Sequence, residues 1–415
     1  MKKLLLMAAV AGFALASCTS EDETYEAQNN QEAEISFAAP VMYKATRVLD
    51  ENNHGEIEGI KYPETLSFNV WGIKYPGNYP GWDATAAEEA FTQNGGVGKS
   101  ISLTVNPKKF NNKVIGWFPA KKETFEGEKK YTFAAFSPST VASTSYNKNG
   151  LAITAYEIPA LGLQDDIMYS ARHYNIDKNS SVTSNANGNE DYNGINLVFK
   201  HALSAVHFKT CVDPDYLKAM EAAGYDASKI EFRIKKITLQ GVYTQGNFAE
   251  NIDLTLDTKA QYASAAKWTV AGDKNTAAGY VFFECGADET YGSLVPKPAD
   301  LKTATLENSL KDISDKGVFD KATSAFSGIL LPQIFGGTTG SENNDAKIII
   351  EWSMNDGKQE NCVDQENVEI ILNKWTDEWL PAKRYNYNII FKENLIYFAP
   401  QVEDWTNENI TINPN

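Results

Sequence analysis

The chain has 415 residues, of which 38 are Lys or Arg and 54 are Asp or Glu, giving a net charge of −16 with histidine neutral. So acidic a chain is poorly suited to nucleic acid or to an anionic lipid surface, both of which repel it. Its four cysteines supply neither a disulfide framework nor a zinc pattern.

The first segment reads as a targeting signal. Lys2 and Lys3 precede an uncharged apolar run over 4–16, of signal-peptide length and too short to span a bilayer. The run ends in Leu15-Ala16-Ser17-Cys18, small residues before a cysteine, which is the pattern of a bacterial lipobox. The expectation is a signal peptide over 1–17, cleavage before Cys18 and acylation of Cys18, several acyl chains together giving firm membrane anchoring. Losing both signal lysines leaves 36 basic against 54 acidic residues, a net of −18. Cys211, Cys285 and Cys362 remain, an odd number that allows at most one internal bridge and leaves open which two would form it. Later apolar runs, such as Ile348-Ile349-Ile350, are only strand-sized.

Residues 18–32 are polar and acidic and read as a tether with nothing to bury. Ser20-Glu21-Asp22-Glu23 suits either a surface-export signal or a solvated linker. From residue 33 the dominant period is two. Leu66, Phe68 and Val70 alternate, as do Ile101, Leu103 and Val105, then Ile252, Leu254 and Leu256. Ile348, Ile350 and Trp352, and Tyr385, Tyr387 and Ile389, repeat the pattern. Such residues line one face of a strand, and Gly, Pro, Asn and Asp clusters separate the runs, so the fold class expected is all-β with antiparallel sandwiches. Helices are short insertions. Asp213-Pro214 offers an N-cap and a proline at N1 for a helix to about residue 223, and 298–313 is expected to hold a second. The Asn/Ser-rich stretch 177–193 is a loop before the strand Ile195-Asn196-Leu197-Val198-Phe199, so the domains are expected at 33–192 and 193–415.

Signs of catalysis or cofactor chemistry are weak. Gly95-Gly96-Val97-Gly98-Lys99-Ser100 has Gln93 where a phosphate loop needs glycine, and it leads into a strand pattern. His201 and His207, six apart, would share a face of one regular strand, without an acid or cysteine close in sequence to complete a metal site. The oxygen-rich stretch 185–191 lacks the spacing of a calcium loop. Trp82, Trp117, Trp375, Trp379 and Trp405 suit either sugar-stacking platforms or core packing. The reading is a non-enzyme without a cofactor.

Several segments in order resemble the fimbrillins, subunits of type V pili. After the lipobox come Glu34-Ile35-Ser36-Phe37-Ala38, Ala45-Thr46-Arg47 and Phe68-Asn69-Val70-Trp71-Gly72. Tyr131-Thr132-Phe133-Ala134-Ala135-Phe136-Ser137-Pro138 follows. Asp166-Ile167-Met168-Tyr169 then precedes Val198-Phe199-Lys200-His201-Ala202-Leu203. Leu330-Leu331-Pro332-Gln333, Trp379-Leu380-Pro381-Ala382-Lys383-Arg384-Tyr385 and Val402-Glu403-Asp404-Trp405 complete the series.

The resemblance implies two tandem transthyretin-like β-sandwiches and export to the outer membrane as a lipoprotein. It further implies proteolysis after a basic residue, Arg47 first and Lys44 second, which removes the strand at 33–43. The groove left behind would take a strand from another pilus subunit, with a host protein or glycan as a possible further partner. A donor strand is expected within 406–415, with Ile410 and Ile412 as its apolar face, although these residues could equally pair within their own domain. The alternative is a glycan-binding lipoprotein of a nutrient-uptake system, which would share the anchor, the sandwiches and the tryptophans.

Overall fold

The computed structural model describes residues 33–38, 41–42, 60–61, 65–81, 84–91, 102–180, 182–184, 192–195, 197–250, 266–275, 279–324, 328–335, 345–355, 362–392 and 395–404. These residues form an all-β protein of several sheets with two short α-helices.

The first sheet contains, side by side, Val41–Met42, Val198–His201, Met168–Ile176, Lys129–Ser137, Phe68–Pro76, Leu103–Phe110 and Lys113–Pro119. Except for the parallel pairing of Val41–Met42 with Val198–His201, these neighbours are antiparallel. The sheet is covered on both faces. Phe68, Val70, Phe133 and Phe199 enter one core, while Trp71, Phe136 and Tyr169 enter another. The second face meets a four-stranded sheet of Thr144–Asn147, Gly150–Glu157, Tyr243–Glu250 and Ala266–Lys274. Phe248 of that sheet lies 5.4 Å from Phe136 and 5.1 Å from Tyr169.

A further sandwich lies C-terminal. One sheet contains Lys311–Asp312, Ser204–Val212, Lys383–Lys392 and Leu395–Asp404, with Gly328–Leu330 also on Ser204–Val212. The other contains Thr323–Ser324, Tyr280–Glu284, Glu231–Gln240, Lys347–Asn355 and Cys362–Ile371. Aromatic rings join the two, Phe208 to Phe282 at 4.8 Å and Phe391 to Phe232 at 5.4 Å and to Trp352 at 5.7 Å. Ile348, Ile350, Trp352, Tyr385, Tyr387 and Ile389 are all buried, as their alternation requires. The run at 252–256 lies outside the described residues.

Pairing crosses the division expected at 192/193. Val198–His201 belongs to the first sheet, and Tyr243–Glu250 pairs with Gly150–Glu157. The Trp268 indole donates to Ala202 O at 2.6 Å where the chain passes from Val198–His201 to Ser204–Val212.

The helix Pro214–Ala222 starts where expected, the Asp213 carboxylate accepting the Asp215 amide at 2.8 Å. The second helix is only Leu306–Ser309, far shorter than 298–313. Asp300 accepts the Lys302 amide and the Thr303 hydroxyl and holds a turn there, so the helix begins only at the Thr305–Asn308 capping box.

A candidate strand seat

Residues 33–38 are built into the first core although they precede its sheet in the chain. On one side the Ile35 amide donates to Glu123 O at 2.8 Å and the Phe37 amide to Trp117 O at 3.0 Å. Trp117 N returns a bond to Phe37 O at 2.9 Å, and Phe125 N one to Ala33 O at 2.9 Å. On the other side Ala38 N donates to Ile195 O at 2.9 Å, and Ile195 N to Ser36 O at 2.7 Å. Phe37 is antiparallel to Trp117 and parallel to Ile195. Val41 and Met42 continue in the parallel sense opposite Val198 and Phe199. The segment therefore joins Lys113–Pro119, at one end of the first sheet, to the chain leading into Val198–His201, on whose outer side Val41–Met42 pairs.

The side chains match this placement. Ile35, Phe37 and Ala38 are fully buried, and the Phe37 ring meets Phe68 at 5.9 Å and Phe133 at 5.5 Å, both edge-on. Trp117, Phe125, Ile195 and Phe199 complete the lining. Gly194 is needed for the close approach. Its φ is +145°, and a Cβ there would lie 2.7 Å from the Ser36 carbonyl carbon and oxygen. Burying Ile35 and Phe37 contributes about 1.5–3 kcal/mol each before entropic costs.

A model of fimbrillin-like proteins matches residues 81–405. The chain belongs to the fimbrillin-like family. It is thereby fimbrial in kind, a protein of the cell surface. Among solved structures, a fimbrial protein from Bacteroides vulgatus is 14% identical, with 90% of this chain and 100% of that chain covered and a TM-score of 0.44. A fimbrial assembly protein from Parabacteroides distasonis is 9% identical, with 90% and 99% covered and a TM-score of 0.37. No curated protein matches the chain.

Of the residues expected to act in this fimbrillin-like chain, Cys18, Lys44, Arg47, Ile410 and Ile412 lie outside the described residues, as do 95–100 and 185–191. Lys44 and Arg47 fall between the paired strands Val41–Met42 and Ile60–Lys61. The run Leu395-Ile396-Tyr397-Phe398, closer to the C-terminus than any other described strand, is paired with Lys383–Lys392 in its own sheet.

His201 and His207 do not share a strand, because the chain turns between Val198–His201 and Ser204–Val212. Each meets an aspartate remote in sequence. The His201 Nδ1 lies 2.8 Å from Asp166, while His207 pairs with Asp312 and lies 3.2 Å from Asn386 Oδ1. Trp117 and Trp379 are packed in cores, Trp375 is half exposed against Phe398 at 5.4 Å, and Trp82 and Trp405 are outside the described residues. Cys211 and Cys285 are free, and burial pushes the Cys211 thiol up to about 12, with Asp213 adding to the effect. Sequence reasoning found Ile35 and Phe37 but not their partners Glu123 and Ile195, nor Gly194. The only local signal was the Asn193-Gly194 dipeptide, which resembles any turn.

Proposed function

We propose that the chain is a structural or adhesive pilus subunit exported as a lipoprotein through Cys18. Cutting after Arg47, or secondarily Lys44, frees the strand at 33–43, and a strand from another copy takes its place. The observation that carries this reading is the seat itself: two fully buried apolar side chains and backbone bonds on both sides hold a segment that precedes the sheet it completes. An emptied seat would expose unpaired backbone on both flanks and an aromatic trench, which is a substrate for strand addition.

The flanks also set the incoming strand's direction. It would run antiparallel to Trp117 and parallel to Ile195, as residues 33–38 do. Ile410-Thr411-Ile412 repeats the apolar–hydroxyl–apolar order of Ile35-Ser36-Phe37, so Ile410 and Ile412 suit the two inward positions. The test is mild trypsin treatment of the purified full chain, with N-terminal sequencing and size analysis. A discrete cut after Arg47 or Lys44 with growth of polymers is expected, and growth should stop when the chain is shortened to end at residue 405. Cut chains that stay monomeric, or polymers that form without residues 406–415, would overturn the donor assignment.

A further inference from the structure

The seat is shaped for particular side chains as well as for backbone. The position filled by Phe37 is walled by Phe68 and Phe133, both of which meet its ring edge-on. These walls are themselves held. Phe133 stacks on Tyr131 at 5.8 Å and rests on Gly72, where a Cβ would already lie 2.9 Å from the ring. Phe68 is held by Phe199 at 5.2 Å and by Trp117 at 6.2 Å. All of these rings are buried, so a side chain smaller than a phenyl ring would leave a cavity that the walls cannot close.

The next position is restricted in the opposite sense. Ala38 is fully buried in the same core, and its amide donates to Ile195 O at 2.9 Å. A Cβ on Gly194 would lie 2.8 Å from that nitrogen, so the backbone there has no slack. A side chain longer than a methyl group must find room in a filled core, and a polar one must also be stripped of water. The seat thus calls for an aliphatic residue at 35, a ring at 37 and a small residue at 38. The chain's own C-terminal segment lacks the last two. In the register that turns Ile410 and Ile412 inward, Ile412 falls where Phe37 sits and Asn413 where Ala38 sits.

We propose that the seat selects its incoming strand by a ring followed by a small residue at these two positions, and that its best partner is a strand of a different pilus subunit carrying that pair. A second copy of this chain ranks below such a subunit and fills the seat by the weaker fit when none is present. This specificity rests on reading the first strand as removable.

The test has two arms. In the uncut full chain, amide exchange is followed at Trp117 and Ile195, which donate into the strand. Phe37→Ile should speed it about ten- to two-hundred-fold. Ala38→Asn should speed it about tenfold, with the amides of Glu231–Gln240 unchanged. In the second arm, synthetic peptides are added to the cut full chain. A peptide of residues 33–43 should stop polymer growth at about a tenth or less of the concentration needed with a peptide of residues 406–415. Ile412→Phe with Asn413→Ala in the latter peptide should close the gap, whereas Ile410→Phe should not. Unchanged exchange in both variants, or peptides of equal potency, would overturn the selection. The exchange arm uses neither protease nor a second copy, so its failure leaves the assembly reading intact. A cut chain that binds no peptide and forms no polymer would sink the assembly reading, and the exchange arm would still judge the pocket.

Discussion

Phe37→Ala is the most direct test of the seat. Burying Ile35 and Phe37 contributes about 3–6 kcal/mol. The backbone bonds to Glu123, Trp117, Phe125 and Ile195 add about 0.5–1.5 kcal/mol each. Ordering the stretch 33–38 costs about 1–2 kcal/mol per residue. The terms nearly cancel, so the strand is held by a margin of a few kcal/mol and can open without global unfolding. Removing the Phe37 ring costs about 3–5 kcal/mol, comparable to the whole margin. The strand should then be largely open in an otherwise folded chain. Amide exchange reads this from both sides, because Ile35, Phe37 and Ala38 donate out of the strand while Trp117, Phe125 and Ile195 donate into it. All six should exchange about a hundred- to several-thousand-fold faster, with the amides of Glu231–Gln240 unchanged. Unchanged exchange at Trp117 and Ile195 would refute the claim that Phe37 holds the strand in place.

Other substitutions test neighbouring parts of the structure. Gly194→Ala should push residues 33–38 outward, because its Cβ cannot fit 2.7 Å from the Ser36 backbone; faster exchange at Ile35 and Ala38 would register this. Asp213→Ala should cost about 1 kcal/mol through loss of the N-cap of Pro214–Ala222, read as a lower urea midpoint at unchanged slope. Burial lowers the His173 pKa from 6.5 to about 4, so its contribution is present above 6.5 and is lost as pH falls through 4. Urea unfolding between pH 7 and pH 4 should show this loss, and His173→Gln should reduce it.

What the sequence disclosed was what is local in cause. Alternation at Ile348, Ile350 and Trp352 gives a strand face without reference to its partners, and Asp213-Pro214 starts a helix by its own chemistry. The buried pair of Asp166 and His201 joins residues 35 apart, and the backbone bonds of residues 36–38 reach Trp117 and Ile195, contacts that no window of neighbouring residues contains. The turn at Asp300 shows the reverse failure, a local side-chain competition hidden inside a stretch that looked helical. Gly194 was legible as a glycine but not as a wall, because its meaning lies in the Ser36 backbone brought against it from far away in the chain.

The doubly covered first sheet gives the seat its persistence. A two-layer sandwich that loses a strand from its core exposes apolar surface on the only face that holds it together. Here Trp71, Phe136 and Tyr169 pack on the opposite face against Phe248, which Tyr243–Glu250 supplies from far along the chain. Those contacts do not involve residues 33–38, so opening the strand leaves the aromatic lining on a buttressed sheet. The trench should therefore stay formed when empty, sparing an incoming strand the cost of rebuilding it. Phe248→Ala removes that buttress while touching nothing in the seat. It should cost about 3–5 kcal/mol in global stability, and it should slow strand capture by the opened chain while leaving residues 33–38 bonded as before in the uncut one. Strand capture at the normal rate by a chain so weakened would show that the seat supports itself.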